Sequence, residues 1–120
     1  MKLSNTAAVI TGGASGLGEA TARHFAANGA QVTLLDRDAE RGPKIAEEIG
    51  GHFIQTDVTS DDSVAAAIAF AKEKMGKITA AVNCAGIGTV GKTLGREGPL
   101  PLSTFQTTIN VNLVGSFNVA

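Results

Sequence analysis

Short apolar runs alternate with amphipathic stretches along the chain, and that alternation predicts its elements. Ala7-Ala8-Val9-Ile10-Thr11 is small or apolar throughout and stops at a glycine cluster, the pattern of a parallel strand covered on both faces. Leu17 to Asn28 is Ala-rich, carries Glu19 in its first turn and closes on Asn28-Gly29, which predicts a helix. Gln31-Val32-Thr33-Leu34-Leu35 reads as a second strand ending at Asp36. From Ala39 to Ile49 the pair Ile45 and Ile49 marks one helical face, and Gly50-Gly51 ends it. His52-Phe53-Ile54-Gln55-Thr56 is short enough for a third strand. Thr59-Ser60-Asp61-Asp62 then supplies a cap oxygen and carboxylates to a helix whose stripe is Val64, Ile68, Ala71 and Met75, stopping at Gly76.

Ile78 to Val82 predicts a fourth strand, followed by the small and polar residues Asn83-Cys84-Ala85-Gly86. Residues 87–101 hold Gly88, Gly91, Gly95, Gly98, Pro99 and Pro101, a density of turn formers that predicts a long functional loop without regular structure. Phe105, Ile109, Leu113, Ser116 and Ala120 share one face of a last helix with no stop signal, and Asn112 on the same side is expected to be partly buried. Four strands separated by helices predict an α/β, Rossmann-type doubly wound parallel sheet with helices on both faces.

Composition narrows the chemistry. Among 120 residues, 43% are hydrophobic and 18% charged, with 10 Lys+Arg against 11 Asp+Glu, a balance that offers nucleic acid or an anionic membrane no basic footprint. The start, Met1 to Thr6, lacks the features of a leader, and no long apolar run follows, so the expected address is cytoplasmic. A lone cysteine, Cys84, precludes an internal disulfide, and His24 and His52 lack metal-ligand spacing, so no metal is expected. Both histidines read as ordinary surface or strand residues.

The glycine cluster carries the strongest chemical signal. Thr11-Gly12-Gly13-Ala14-Ser15-Gly16-Leu17-Gly18 lies between a predicted strand and a predicted helix, where a turn presents backbone N–H groups and a helix N-terminus to a pyrophosphate. Gly12 suits the tight turn, Gly16 the approach of phosphates, and Gly18 the close packing of helix on strand. Asp36 ends the second strand about 20 residues on, the spacing of a carboxylate that binds ribose hydroxyls and repels a 2′-phosphate. That favours NAD over NADP, although Arg37 beside it could accept the phosphate, and Asp36 could instead serve only as a turn former.

The spacing Thr-Gly-x-x-x-Gly-x-Gly resembles that of the short-chain dehydrogenase/reductase family. Asn83-Cys84-Ala85-Gly86 resembles the family's Asn-Asn-Ala-Gly motif, Asp57-Val58 its adenine-contacting pair, and Val111-Asn112-Leu113 its helix-borne catalytic asparagine. The resemblance, which spans the chain, implies a dinucleotide-binding part over residues 1–120. It places Ser15 and Leu17 at the phosphates and ribose, Asp36 at the adenosine ribose, and Asp57 and Val58 at the adenine. Cys84 and Gly86, with Ala85 between them, would face the nicotinamide side, and Asn112 would hold a water in a proton relay; Asn83, by its own chemistry, reads as a supporting residue whose amide ties strand ends together. Bland readings stand beside these: Asp57 as a loop residue ahead of a helix cap, Cys84 as inert packing, Asn112 as a structural amide.

The family's chemistry needs a serine, a tyrosine and a lysine after the fourth strand, and this chain contains no tyrosine. The expectation is therefore the N-terminal half of an NAD-dependent oxidoreductase, cut before its Tyr/Lys segment, with an open fourth-strand edge and an uncovered final helix. The implied substrates are small molecules with a secondary alcohol or ketone, 3-hydroxyacyl thioesters first and hydroxysteroids second. The implied assembly is a homo-oligomer, a dimer or tetramer, joined through the last helix. Two alternatives remain, a non-catalytic dinucleotide-binding module and another Rossmann-type enzyme such as a methyltransferase.

Overall fold

β1 (Ala7–Thr11) is buried along its whole length because it has a strand on each side and helices over both faces. The computed structural model describes Met1–Ala120. β1 pairs in parallel with β2 (Gln31–Asp36) on one side and with β4 (Ala80–Asn83) on the other, while β3 (His52–Gln55) pairs with β2. The resulting order β3-β2-β1-β4 is the first part of a doubly wound sheet.

Alternation along the strands sorts the core into two layers. Ala8, Ile10, Val32 and Leu34 face α1 (Gly16–Ala27) and α2 (Arg41–Ile49), burying Ala22, Ile45 and Ala46. Ala7, Val9 and Leu35 point the other way, onto Ala67, Ala71 and Met75 of α3 (Asp61–Met75). The stripe predicted from Val64, Ile68, Ala71 and Met75 does face inward, with Ala67 added to it.

Local chemistry sets the element ends. The Ser63 amide donates to the Ser60 hydroxyl at 3.2 Å at the start of α3, and Gly76, at φ +78°, ends it. α2 begins at Arg41 rather than Ala39 because an Asp38 carboxylate oxygen takes the amides of Glu40 and Arg41, at 3.0 and 2.9 Å, and holds the preceding turn as a cap. Those two bonds hold the Asp38 carboxyl below the usual carboxylate range, the Arg41 amide contributing most.

Two further expectations need correction. Residues 87–101 are not wholly irregular: β5 (Leu94–Gly95) and β6 (Gly98–Pro99) pair antiparallel as a small hairpin, since Gly98 at φ +124° allows the sharp return. The last helix is also not one uniform stripe. α4 (Leu102–Ile109) passes through a π-turn over Asn110–Val114 into α5 (Gly115–Val119), and the wider turn rotates the later residues relative to the earlier ones. Gly115 and Val119 become the buried positions, whereas Phe105, Leu113 and Ala120 are exposed, as is Asn112.

β4 has a strand neighbour on one side only, and Ala81 and Asn83 are exposed there. No helix is long and apolar enough to cross a membrane.

Gly18 lies where α1 meets the turn after β1, and a Cβ there would overlap the Gly12 carbonyl. Gly18→Ala therefore forces helix and strand apart, and the expected cost is about 1–3 kcal/mol, read as a lower midpoint in chemical denaturation.

Candidate functional site

The carboxyl ends of β1 and β4 part where the chain reverses its direction across the sheet, the place where open α/β sheets bind ligands. A crevice of about 420 Å³ opens there. Its lining includes Gly12, Ser15, Gly16, Leu17, Asp36, Asp57, Val58, Cys84, Ala85 and Gly86, ten of the residues expected from sequence. Gly18, Asn83 and Asn112 are not among its lining residues.

Gly12 sits at the tightest point. Its φ is +66°, its amide donates to the Leu35 carbonyl at 2.9 Å, and a Cβ would meet Ala85 N at 2.8 Å. Gly16 differs: φ is +52°, yet nothing lies within 4 Å of where its Cβ would be, so the left-handed backbone opens on free space. The first amides of α1 have no intrahelical acceptors, and the Ser15 hydroxyl makes no capping bond. These donors and the positive end of the helix dipole suit an anion.

Two charged side chains hold the turn. The Ala14 amide donates to Asp36 Oδ2 at 2.9 Å, and Arg41 Nε donates to the Ala14 carbonyl at 2.9 Å. Asp36 Oδ1 accepts the Asp38 amide at 2.9 Å. Each carboxylate oxygen of Asp36 thus has a backbone donor, which fixes its plane and leaves lone pairs for a ligand. Arg41 also reaches Glu19 Oε2 at 2.9 Å, and Arg23 joins Glu19 to Glu48. Such exposed pairs add little stability, and their effect is orientation.

Asp57 Oδ1 accepts the Thr59 hydroxyl at 2.6 Å and the Thr59 amide at 3.0 Å. The Thr59 hydroxyl, then its amide, hold the Asp57 carboxyl below the usual range against the opposing cost of burial, with Arg37 adding a smaller attraction. Asp57 Oδ2 makes no hydrogen bond within the chain and remains available to a ligand.

On the β4 side, the buried Thr11 hydroxyl accepts the amides of Cys84 and Ala85, at 3.1 and 3.0 Å, and donates to Asn83 Oδ1 over a long 3.5 Å. That exhausts a hydroxyl's capacity. Asn112 grips the next segment with both ends of its amide: the Ile87 amide donates to Oδ1 at 2.8 Å, and Nδ2 donates to the Ile87 carbonyl at 2.9 Å. It does so from an exposed position, contrary to the partial burial expected of it.

Sequence reasoning missed five contributors. Leu35, Thr56 and Ile87 line the crevice, as does Val111, and the Thr11 hydroxyl ties its two sides together. Thr11 was the most accessible of these, because a buried hydroxyl ending a strand must find partners. Nothing local marked Ile87 as a crevice residue, and Val111 entered only as the neighbour of Asn112 in its motif; both reach the crevice through chain crossing.

The family model for short chain dehydrogenase matches residues 6–120, and the chain belongs to that family. It is 44% identical to the 3-hydroxyacyl-CoA dehydrogenase type-2 of Drosophila melanogaster, over 98% of this chain and 48% of that protein. A solved structure of 3-hydroxyacyl-CoA dehydrogenase type-2 from Mycobacterium avium superposes with a TM-score of 0.88 at 40% identity, over 98% of this chain and 47% of the other. A 3-ketoacyl-(acyl-carrier-protein) reductase from Brucella melitensis, solved with NADH, also gives 0.88, at 33% identity over 96% of this chain and 47% of the other. The chain spans about half the length of these relatives.

The depressed Asp57 carboxyl has a pH consequence. Its folded value lies below its unfolded one, so its contribution is complete above the usual aspartate range and is lost as pH falls through the depressed value. Acid titration followed by circular dichroism should show Asp57→Asn less stable than the parent at neutral pH, with the difference vanishing at the acid end.

Proposed function

We propose that this chain is the cofactor-binding part of an NAD-dependent oxidoreductase that exchanges a hydride with a secondary alcohol or ketone, 3-hydroxyacyl-CoA being the favoured substrate. The observation that carries this reading is the Gly16 opening at the head of α1, with its unpartnered amides, facing the oriented carboxylate of Asp36 across one crevice. The donor set fits a dinucleotide: amides and a hydroxyl for the pyrophosphate, a carboxylate for ribose hydroxyls, and apolar walls from Val58, Ile87 and Val111. A nicotinamide cofactor supplies the hydride acceptor or donor that no side chain can.

The chain's own residues bind, orient and exclude water. Ser15, Gly16 and Leu17 take the phosphates, Asp36 orients the adenosine ribose, and Asp57 with Val58 receives the adenine. Cys84 and Ala85, held by Thr11, and Gly86 after them lie beside the nicotinamide half. Asn112 belongs to the proton route: after its clamp on Ile87, an Oδ1 lone pair and an Nδ2 hydrogen remain to hold a water. The tyrosine and lysine of the family's chemistry would lie beyond Ala120. The exposed apolar residues Leu102, Phe105, Leu113 and Phe117, the last 83% exposed, suit the remainder of the fold and a second copy in a homo-oligomer.

Asp36 favours NAD because its charge repels a 2′-phosphate. In the full-length protein, Asp36→Asn removes that charge while its one amide oxygen keeps an acceptor for one of the two backbone amides of Ala14 and Asp38. The NADPH-to-NADH affinity ratio, read from nucleotide fluorescence, should rise about tenfold. An unchanged ratio would remove Asp36 as the discriminating group.

Gly16→Val tests the phosphate assignment. It adds strain of about 1–2 kcal/mol at a positive φ and fills the opening. The folded variant should lose at least about tenfold in NADH affinity. A parent protein that binds no NADH and forms none with a 3-hydroxyacyl-CoA would overturn the whole reading.

A further inference from the structure

We propose that Asn118, with Gly115, is a positioning residue for the wall of the crevice formed by Asp57 and Val58. The inference rests on the dinucleotide reading above and deepens it. Asn118 Nδ2 donates to the Val58 carbonyl at 2.9 Å, a bond between residues 60 apart in the chain. Gly115, one turn earlier, is buried directly against the Val58 side chain: a Cβ there would lie 2.6 Å from Val58 Cγ2. Val58 belongs to a small apolar cluster with Val64 and Val119, separate from the two main core layers. The segment it occupies lies between β3 and α3 and has no strand partner, so α5 supplies a fixed support that the sheet does not.

The arrangement divides the work of one helix between the two sides of the crevice. Before the π-turn ends, Asn112 fixes Ile87. Beyond it, Asn118 and Gly115 fix Val58. Neither Asn118 nor Gly115 lines the crevice, so neither touches a bound dinucleotide, and both act through the position of Val58. Val58 stands at the adenine end of that reading, and loss of Asn118 should therefore weaken whatever contains the adenosine half, regardless of a nicotinamide.

The experiment compares two ligands on the full-length protein, NADH by fluorescence and ADP-ribose by competition against it. Asn118→Leu removes the donor and leaves the Val58 carbonyl unpaired, and both affinities should fall by the same factor, about five- to tenfold. Gly115→Ala pushes Val58 by a different route and should reproduce the equal loss, which covers the case in which Asn118→Leu does not fold. Asn118→Gln, with the same donor on a longer arm, should recover part of the loss. Unchanged affinities in a folded variant would overturn the inference, as would a loss for NADH that clearly exceeds the loss for ADP-ribose, since that would place the effect at the nicotinamide end. A parent protein that binds neither ligand would instead overturn the dinucleotide reading on which the inference stands.

Discussion

At Thr11-Gly12 two backbone segments more than 70 residues apart come into direct contact, and the crevice exists because they can. The Gly12 Cα lies so near Cys84 and Ala85 that any side chain would collide with their backbone. The Thr11 hydroxyl, one residue earlier, takes both of their amides. A larger residue at Gly12 would move the β4 side outward, and an apolar one at Thr11 would leave two amides without partners, each costing about 1–3 kcal/mol if kept from water. The steric allowance and the hydrogen bonds act together: the first permits the approach, and the second fixes its distance.

The rest of the site is organised around that contact largely by side chains that grip backbone. Asp36 and Arg41 hold the Ala14 peptide by its two ends. Thr59 fixes Asp57, Asn112 fixes Ile87, and Asn118 fixes Val58. Side-chain bonds to backbone suit a site made from loops, because loop amides and carbonyls lack the ladders that satisfy them in helices and strands. A rigid rim on unsupported loops lowers the ordering cost when a ligand arrives.

The same sheet that shapes the crevice leaves surfaces bare. β4 offers one unpaired side, and the last helix turns Phe105, Leu113 and Phe117 outward. Unpaired strand edges and clustered apolar residues are surfaces that folded proteins ordinarily cover. Such bare surfaces fit the observation that this chain spans about half the length of its relatives.

By itself the sequence determined the elements, their order and the glycine-loop side of the crevice, because these depend on local signals. Apolar runs of strand length, the turn residues between them and the glycine spacing after β1 are all legible within a few positions of each other. Gly12, Gly16 and Asp36 were legible in that way, and the family resemblance added Ser15, Leu17, Asp57, Val58, Cys84, Ala85 and Gly86. Tertiary structure alone decided what depends on distant segments meeting. The hairpin inside 87–101 came from backbone pairing that its glycines and prolines conceal, and the π-turn rotated the last helix so that Gly115 and Val119, not Phe105 and Leu113, face inward. The partners of Thr11, Asn112 and Asn118 are likewise invisible in sequence, since a polar side chain declares only that it needs a hydrogen bond, and the crossing of the chain chooses which backbone group supplies it.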